Sequence, residues 1–330
     1  MNLATTYLGL PLRNPIIVGA SPFADNVHVA GQLQDAGAAA IVMRSLFEEQ
    51  IGQEQRALTR DVEDAAESFS EATSFFPAYE EYQFTPDNYL RQIESLKASL
   101  TIPVIASLNG RRPGLWLDYA QRFETAGADA IELNLYQLVT DPVLSSEDVE
   151  DLLLETVRNV VSAVKIPVAV KLSPFHTALP HFTQALTEAG AAGVVLFNRF
   201  YQPDFDIKEL ETQPTLRLSD SSELLMRLRW LAILSPQHSG SLAASGGVHT
   251  SVDIAKALLS GAHAVQLVSV LLKHGPRIIS TLLRDLQTWM SEYGYTDLNG
   301  LRGAMNLRRC PDPAALERAN YQRILQSWRI

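Results

Sequence analysis

Short apolar runs alternate along this chain with longer stretches in which apolar positions recur at helical spacing. One phrase returns with small changes: DAGAAAIVM from Asp35, TAGADAIEL from Thr125, EAGAAGVVL from Glu188 and SGAHAVQL from Ser260. In each, a glycine falls where a helix should stop, and a strand begins a few residues later. Between these units lie runs that open on proline, Pro15-Ile16-Ile17-Val18, Pro103-Val104-Ile105-Ala106 and Pro167-Val168-Ala169-Val170. Proline is tolerated there because it occupies a strand's first position. The pattern predicts strands near 15–20, 39–44, 103–108, 130–135, 167–172, 193–198, 241–245 and 264–268, each followed by a helix. Continuously apolar strands separated by amphipathic helices imply a parallel sheet covered by helices, and eight such units favour an α/β fold of the closed (β/α)8 TIM barrel type over an open doubly wound sheet.

Two connections are too long for simple loops. Residues 46–85 carry an acidic run (Glu48, Glu49, Glu54, Asp61, Glu63, Asp64, Glu67, Glu71) followed by Phe75-Phe76-Pro77-Ala78-Tyr79, and residues 199–219 are rich in aromatic, proline and charged residues. Both leave from strand C-termini, where a barrel carries its chemistry, so both are expected to wall one pocket. Residues 291–330 are expected to pack back on the outside as a tail. With no low-complexity linker or clean boundary, residues 1–330 read as a single domain.

Composition narrows the function. A net charge of −10 argues against nucleic acid or an anionic membrane as the main partner. The single Cys310 excludes an internal disulfide framework and any all-cysteine zinc or iron–sulfur site within one chain. The opening MNLATTYLGLPLRNP lacks a basic region followed by a long apolar run, and no run of 18 uncharged apolar residues occurs. A cytoplasmic protein with no membrane anchor is the expectation.

The predicted strand ends collect a polar ring: Ala20-Ser21, Arg44-Ser45, Asn109, Asn134, Lys171, Asn198, Gly246-Gly247 and Val268-Ser269. Lys171, in VAVKLSP, is the most informative, because an amine ending a buried strand must find an anionic partner or shift its pKa downward. Asn134 and Asn198 are strand-terminal amides suited either to a ligand or to capping the next turn. His176 and His181 lack a partner at metal-ligand spacing and read as loop or helix-start residues, so no metal is expected. In LAASGGVHTSVDIAKALLS the sequence predicts a strand, a glycine turn and a helix with Thr250 or Ser251 as N-cap. Backbone N–H groups and a helix N-terminus make such a turn a phosphate cup. There is no G-x-S-x-G elbow and no G-x-G-x-x-G, so hydrolysis by a nucleophilic serine and a Rossmann dinucleotide site are both disfavoured.

Taken jointly, Asn14-Pro15 with Gly19-Ala20-Ser21, Arg44-Ser45, IELNL ending at Leu135, VKLSP around Lys171, Asn198, Gly246-Gly247 and AVQLVSVLL from Ala264 resemble the dihydroorotate dehydrogenases over nearly the whole chain. The resemblance implies an FMN-dependent barrel, with phosphate at Gly246, Gly247, Val268 and Ser269. It places the flavin ring against Ala20, Ser21, Ser45, Asn109, Asn134 and Lys171. It is closest to the soluble class 1 enzymes, which implies a homodimer. The substrate half departs from the family pattern. After Asn134 the chain reads Leu135, Tyr136, Gln137, Leu138, Val139, so Gln137 stands where the family has a cysteine or serine base, and Val139 where it has an asparagine. An amide cannot take a proton near neutral pH. Arg44 replaces the family's lysine.

Three readings follow. The first is an FMN oxidoreductase moving a hydride between flavin N5 and a small anionic substrate other than dihydroorotate. Arg44, Asn134 and Asn198 would bind that substrate, and Lys171 and Tyr136 would serve catalysis. The second is a dihydroorotate dehydrogenase of pyrimidine biosynthesis with a different base. The third is a flavin-binding pseudoenzyme.

Overall fold

The computed structural model describes residues 1–48, 50, 85–110, 115–135, 138–199, 203–213, 217–317 and 319–327. Eight parallel strands close into a barrel: β1 (Ile16–Val18), β2 (Ala40–Phe47), β3 (Val104–Asn109), β4 (Ala130–Leu135), β5 (Val168–Leu172), β6 (Gly193–Leu196), β7 (Ser241–Ser245) and β8 (Ala264–Leu267). Each pairs with its sequence neighbours, and β8 returns to β1. The helices between them are α1 (Val27–Asp35), α2 (Pro86–Ser99), α3 (Leu115–Thr125), α4 (Ser146–Ala163), α5 (Leu179–Glu188), α6 (Leu224–Leu234) and α7 (Ser251–Ser260); α8 (Ile278–Glu292) follows β8. The expected (β/α)8 architecture is therefore observed.

The repeated phrase marks the helix stops. Gly190 and Gly261 both sit at positive φ, +96° and +118°, and a Cβ there would come within 2.7 Å of Val161 Cγ1 and 2.2 Å of Ser235 Cβ respectively. A side chain at either place would be both strained and obstructed.

Successive strand residues alternate between two cores. Ile17, Ala40, Val42, Ile105, Ala130, Ala169, Val195, Ala243 and Ala264 face the barrel interior. Their neighbours Ile16, Val18, Ile41, Val104, Ile131, Leu133, Val170, Val194, Leu242 and Val265 pack outward with the helices. The mostly small interior residues leave room for a plug at the N-terminal end of the barrel. It is an antiparallel hairpin of Thr5–Tyr7 and Leu10–Leu12, which inserts Tyr7, Leu8 and Leu12 into the interior core. Gly193 is what admits it, since a Cβ there would meet Leu8 Cδ2 at 2.7 Å. Thr5 Oγ1 donates to His263 O at 3.1 Å, and Leu8 N to Ser241 Oγ at 2.9 Å.

Sequence and structure differ mainly at strand ends. The first strand stops at Val18 rather than 20: Gly19 N still donates to Leu267 O on β8, and Ser21 Oγ then folds back to donate to Gly19 O. The sixth stops at Leu196 rather than 198, while the second runs on to Phe47 past a register shift between Val42 and Ser45. Most of the 46–85 insertion lies outside the described residues. In the 199–219 excursion, Asp204–Asp206 and Glu211–Gln213 pair as an exposed hairpin. After α8 the chain straps across α7 and α6, where the N–H groups of Gly303, Met305 and Leu307 donate to Leu258, Leu259 and Ala232 carbonyls. No helix among the described residues is long and apolar enough to cross a membrane.

Candidate active site

The C-terminal ends of the strands surround a cavity of about 570 Å³ lined by Ala20, Ser21, Arg44, Ser45, Asn109, Asn134, Lys171 and Asn198, together with Pro22, Phe47, Gln50 and Arg199. Eight residues anticipated from sequence thus share one hollow, of a size ordinary for a small-molecule site. The bulge in β2 re-aims Ser45, so that its Oγ lies 2.8 Å from Ser107 Oγ. Asn134 Nδ2 donates to both, at 2.6 Å to Ser45 and 3.1 Å to Ser107. With its amide nitrogen spent on the two serines, Asn134 keeps a buried Oδ1 with no hydrogen-bond partner. A buried acceptor left unpaired beside a cavity is suited to a ligand N–H.

Lys171 forms part of the floor, and its ammonium turns inward. Nζ donates to Glu132 Oε1 at 3.2 Å and to Gln266 Oε1 at 3.1 Å, while Gln266 Nε2 donates to Glu132 Oε2 at 2.5 Å. Glu132 and Gln266 are each 1% exposed and take no part in lining the cavity. Below them the Tyr7 hydroxyl is held far above its ordinary pKa, first by burial and then by the Glu132 charge. On the opposite wall Arg44 is ion-paired with Asp25, from the short turn after β1. Burial raises the Asp25 carboxyl and Arg44 offsets part of that rise.

Gly246, Gly247, Val268 and Ser269 are not among the residues lining this cavity; they lie at the ends of β7 and β8, at the turn read from sequence as a phosphate cup. Gly246 and Gly247 take φ of +88° and +80°, and α7 starts on a Thr250 N-cap with a complete capping box to Asp253. Ser219, from the end of the 199–219 excursion, is its hub. Gly247 N donates to Ser219 Oγ at 3.4 Å, Ser219 N donates to Ser269 Oγ at 3.1 Å, and Lys273 Nζ donates to Ser219 O at 2.9 Å. The buried Arg227 guanidinium packs under Gly246 and donates to Ser245 O. Lys273, Arg227 and the N-terminus of α7 thus lie around this turn, an arrangement suited to an anion, with the Glu223 carboxylate 4.0 Å from Arg227. A Cβ on Gly247 would stand 2.4 Å from the Leu224 backbone nitrogen. A Gly247→Ala change is therefore expected to cost about 1–3 kcal/mol of stability. Thermal unfolding would check it.

Tyr136 and Gln137 lie outside the described residues. His176 has a partner that spacing did not reveal: its Nδ1 lies 3.3 Å from Glu150 Oε1 and its ring stacks on Phe182, with burial holding its pKa below the ordinary value. It borders a second crevice of about 310 Å³ lined by Leu138, Val139, Leu144 and Phe175. Sequence reading also passed over Glu132, Gln266, Ser107, Asp25, Ser219, Arg227 and Lys273. Glu132 and Gln266 did leave a signal, as polar letters inside the apolar strands IELNL and AVQL. The others depend on which loops meet in space.

A family model described as dihydroorotate dehydrogenase matches residues 2–290. The chain is 25% identical to the dihydroorotate dehydrogenase B (NAD(+)) catalytic subunit of Thermoplasma volcanium, over 92% of this chain and 98% of that one. It is 28% identical to the dihydroorotate dehydrogenase A (fumarate) of Limosilactobacillus reuteri, over 61% of this chain and 67% of that one. It is also 20% identical to the NAD-dependent dihydropyrimidine dehydrogenase subunit PreA of Escherichia coli, over 92% of this chain and 77% of that one. A closed barrel, a polar cavity at its C-terminal face and a family match spanning nearly every strand agree with one another: the chain belongs to the dihydroorotate dehydrogenase family.

Proposed function

We propose that the protein is an FMN-dependent oxidoreductase acting on a C–C bond of a small ring substrate. The observation that carries this reading is the unpaired, buried Asn134 Oδ1 beside Lys171 in the cavity. A flavin ring has an N–H to give such an acceptor and an electron-rich edge to meet an ammonium, and the Gly246–Gly247 cup suits its phosphate. The residues present therefore fit FMN: Ala20, Ser21, Ser45, Asn109, Asn134 and Lys171 would hold the ring, and Gly246, Gly247, Val268 and Ser269 the phosphate. When bound, FMN supplies hydride transfer at N5.

The chain's own part is orientation and proton control. Asp25 fixes Arg44 at the wall, where the guanidinium, with five N–H donors, can bind a substrate carbonyl or carboxylate. Asn198 faces the same space. No carboxylate, histidine or cysteine is among the described residues lining the cavity, so none of them offers an obvious proton acceptor at neutral pH. Tyr136, two residues beyond Asn134, is our proton donor. These features favour a substrate other than dihydroorotate.

Purified protein should be yellow and bind FMN one to one. On anaerobic mixing with dihydroorotate the flavin should stay oxidised. Bleaching would instead establish a dihydroorotate dehydrogenase with an unusual base, and a colourless preparation that takes up no FMN would overturn the flavin reading. A Tyr136→Phe variant should retain FMN but turn over its substrate about a hundredfold more slowly.

A further inference from the structure

We propose that Glu132 is a positioning residue that draws Lys171 toward the barrel interior and sets how strongly the site favours reduced flavin. The proposal rests on the flavin reading above. Glu132 and Gln266 lie beneath the cavity floor and take no part in lining it, yet of the three hydrogen bonds among Glu132, Gln266 and Lys171 two come from the ammonium itself. Gln266 reaches this position because Gly19 has no side chain: a Cβ there would fall 3.3 Å from Gln266 Cβ and 2.8 Å from Val268 Cγ2. The chain keeps a carboxylate in a barrel interior lined mainly by alanine, valine and isoleucine and plugged by Tyr7, Leu8 and Leu12, at a place where it neutralises the floor's cation.

Burying this pair brings no evident gain in stability over an apolar core, since desolvation of two charges offsets their attraction. Its effect is electrostatic. A full ammonium under the flavin stabilises the negative charge that two-electron reduction leaves on the ring, whereas an ammonium shared with Glu132 stabilises it less. Gln266 grades the effect, because its N–H takes up part of the Glu132 charge while its carbonyl holds Nζ from the side.

Two variants should then move the flavin equilibrium in opposite directions. Glu132→Gln removes the opposing charge, and at equilibrium with a dye of known potential the reduced-to-oxidised ratio of bound FMN should rise about tenfold, about 30 mV for a two-electron couple. Gln266→Leu leaves Glu132 with Lys171 as its remaining partner, so the ratio should fall severalfold. Loss of packing alone would lower both melting temperatures without separating the two shifts in sign. If Glu132→Gln does not fold, the direction of the Gln266→Leu shift decides. A yellow parent whose ratio is unchanged in the folded variants, or shifts the same way in both, overturns this proposal and leaves the flavin reading standing. A colourless parent that takes up no FMN overturns both.

Discussion

Replacing Lys171 by methionine is expected to cost about 3–5 kcal/mol of folding stability, because it leaves the Glu132 carboxylate buried without a cation. The reverse change should cost less. Lys171 borders the cavity and can take up water there, whereas Glu132 is 1% exposed and has none to turn to. The double variant Lys171→Met/Glu132→Gln should therefore recover a large part of the single-variant loss, giving a coupling of about 2–3 kcal/mol in a denaturant cycle over the four proteins. Additive losses would show that the two charges do not depend on each other. On the proposed flavin reading, the same substitution also removes a cation worth up to about 4 kcal/mol to the reduced ring at an effective dielectric near 20. Because Glu132 is left as an unopposed charge, it does not shrink the resulting drop in reduction potential, expected to reach up to ~90 mV.

Acidification is expected to remove about 3 kcal/mol of stability between pH 6.5 and pH 4. His263, at the start of β8, has its pKa pushed down to about 4 by burial, with repulsion from Arg302 and His238 adding to it. In the unfolded chain it titrates near 6.5. Above pH 6.5 neither state is protonated and nothing is lost. As pH falls through this window the unfolded state takes up a proton that the native state refuses, so stability declines and levels off once both are charged. His238 and His176 are also displaced downward by burial and push in the same direction. Urea midpoints at pH 7.5 and 4.5 would measure the decline. A His263→Asn variant keeps an acceptor for the Leu242 N–H that His263 Nδ1 now receives and should flatten the curve. An unchanged curve would place the acid sensitivity elsewhere.

The fold was legible because its signals are local and repeated. A helix-stop glycine followed by an apolar strand, a proline opening an apolar run and an apolar run ended by Gly246-Gly247 are all statements about neighbouring residues, and together they placed the barrel strands within a few positions. The ring of strand-end residues was legible for the same reason: once the strands are placed, Ser45, Asn134, Lys171 and Asn198 must share a face. What escaped depends on contacts between distant segments. Nothing in the neighbourhood of Arg44 announces Asp25, and Ser219 enters the cup from the far end of a long excursion. The close approach of α6 to Gly246 and Gly247 is likewise a matter of tertiary packing rather than of motif. Glu132 is the instructive case, since an acid inside IELNL was visible and only its partner on β5 explains it.

The hairpin plug has a consequence for the order of assembly. Its anchors lie almost a full chain length away: Thr5 holds His263 across 258 positions and receives a hydrogen bond from Arg302 across 297. The hairpin precedes every barrel strand in the chain and therefore has nowhere to dock until the last strands exist, and the apolar Tyr7, Leu8 and Leu12 must wait uncovered while the intervening barrel forms. Sealing the floor is thus a late, long-range event. A chain halted before β8 would leave these apolar side chains exposed.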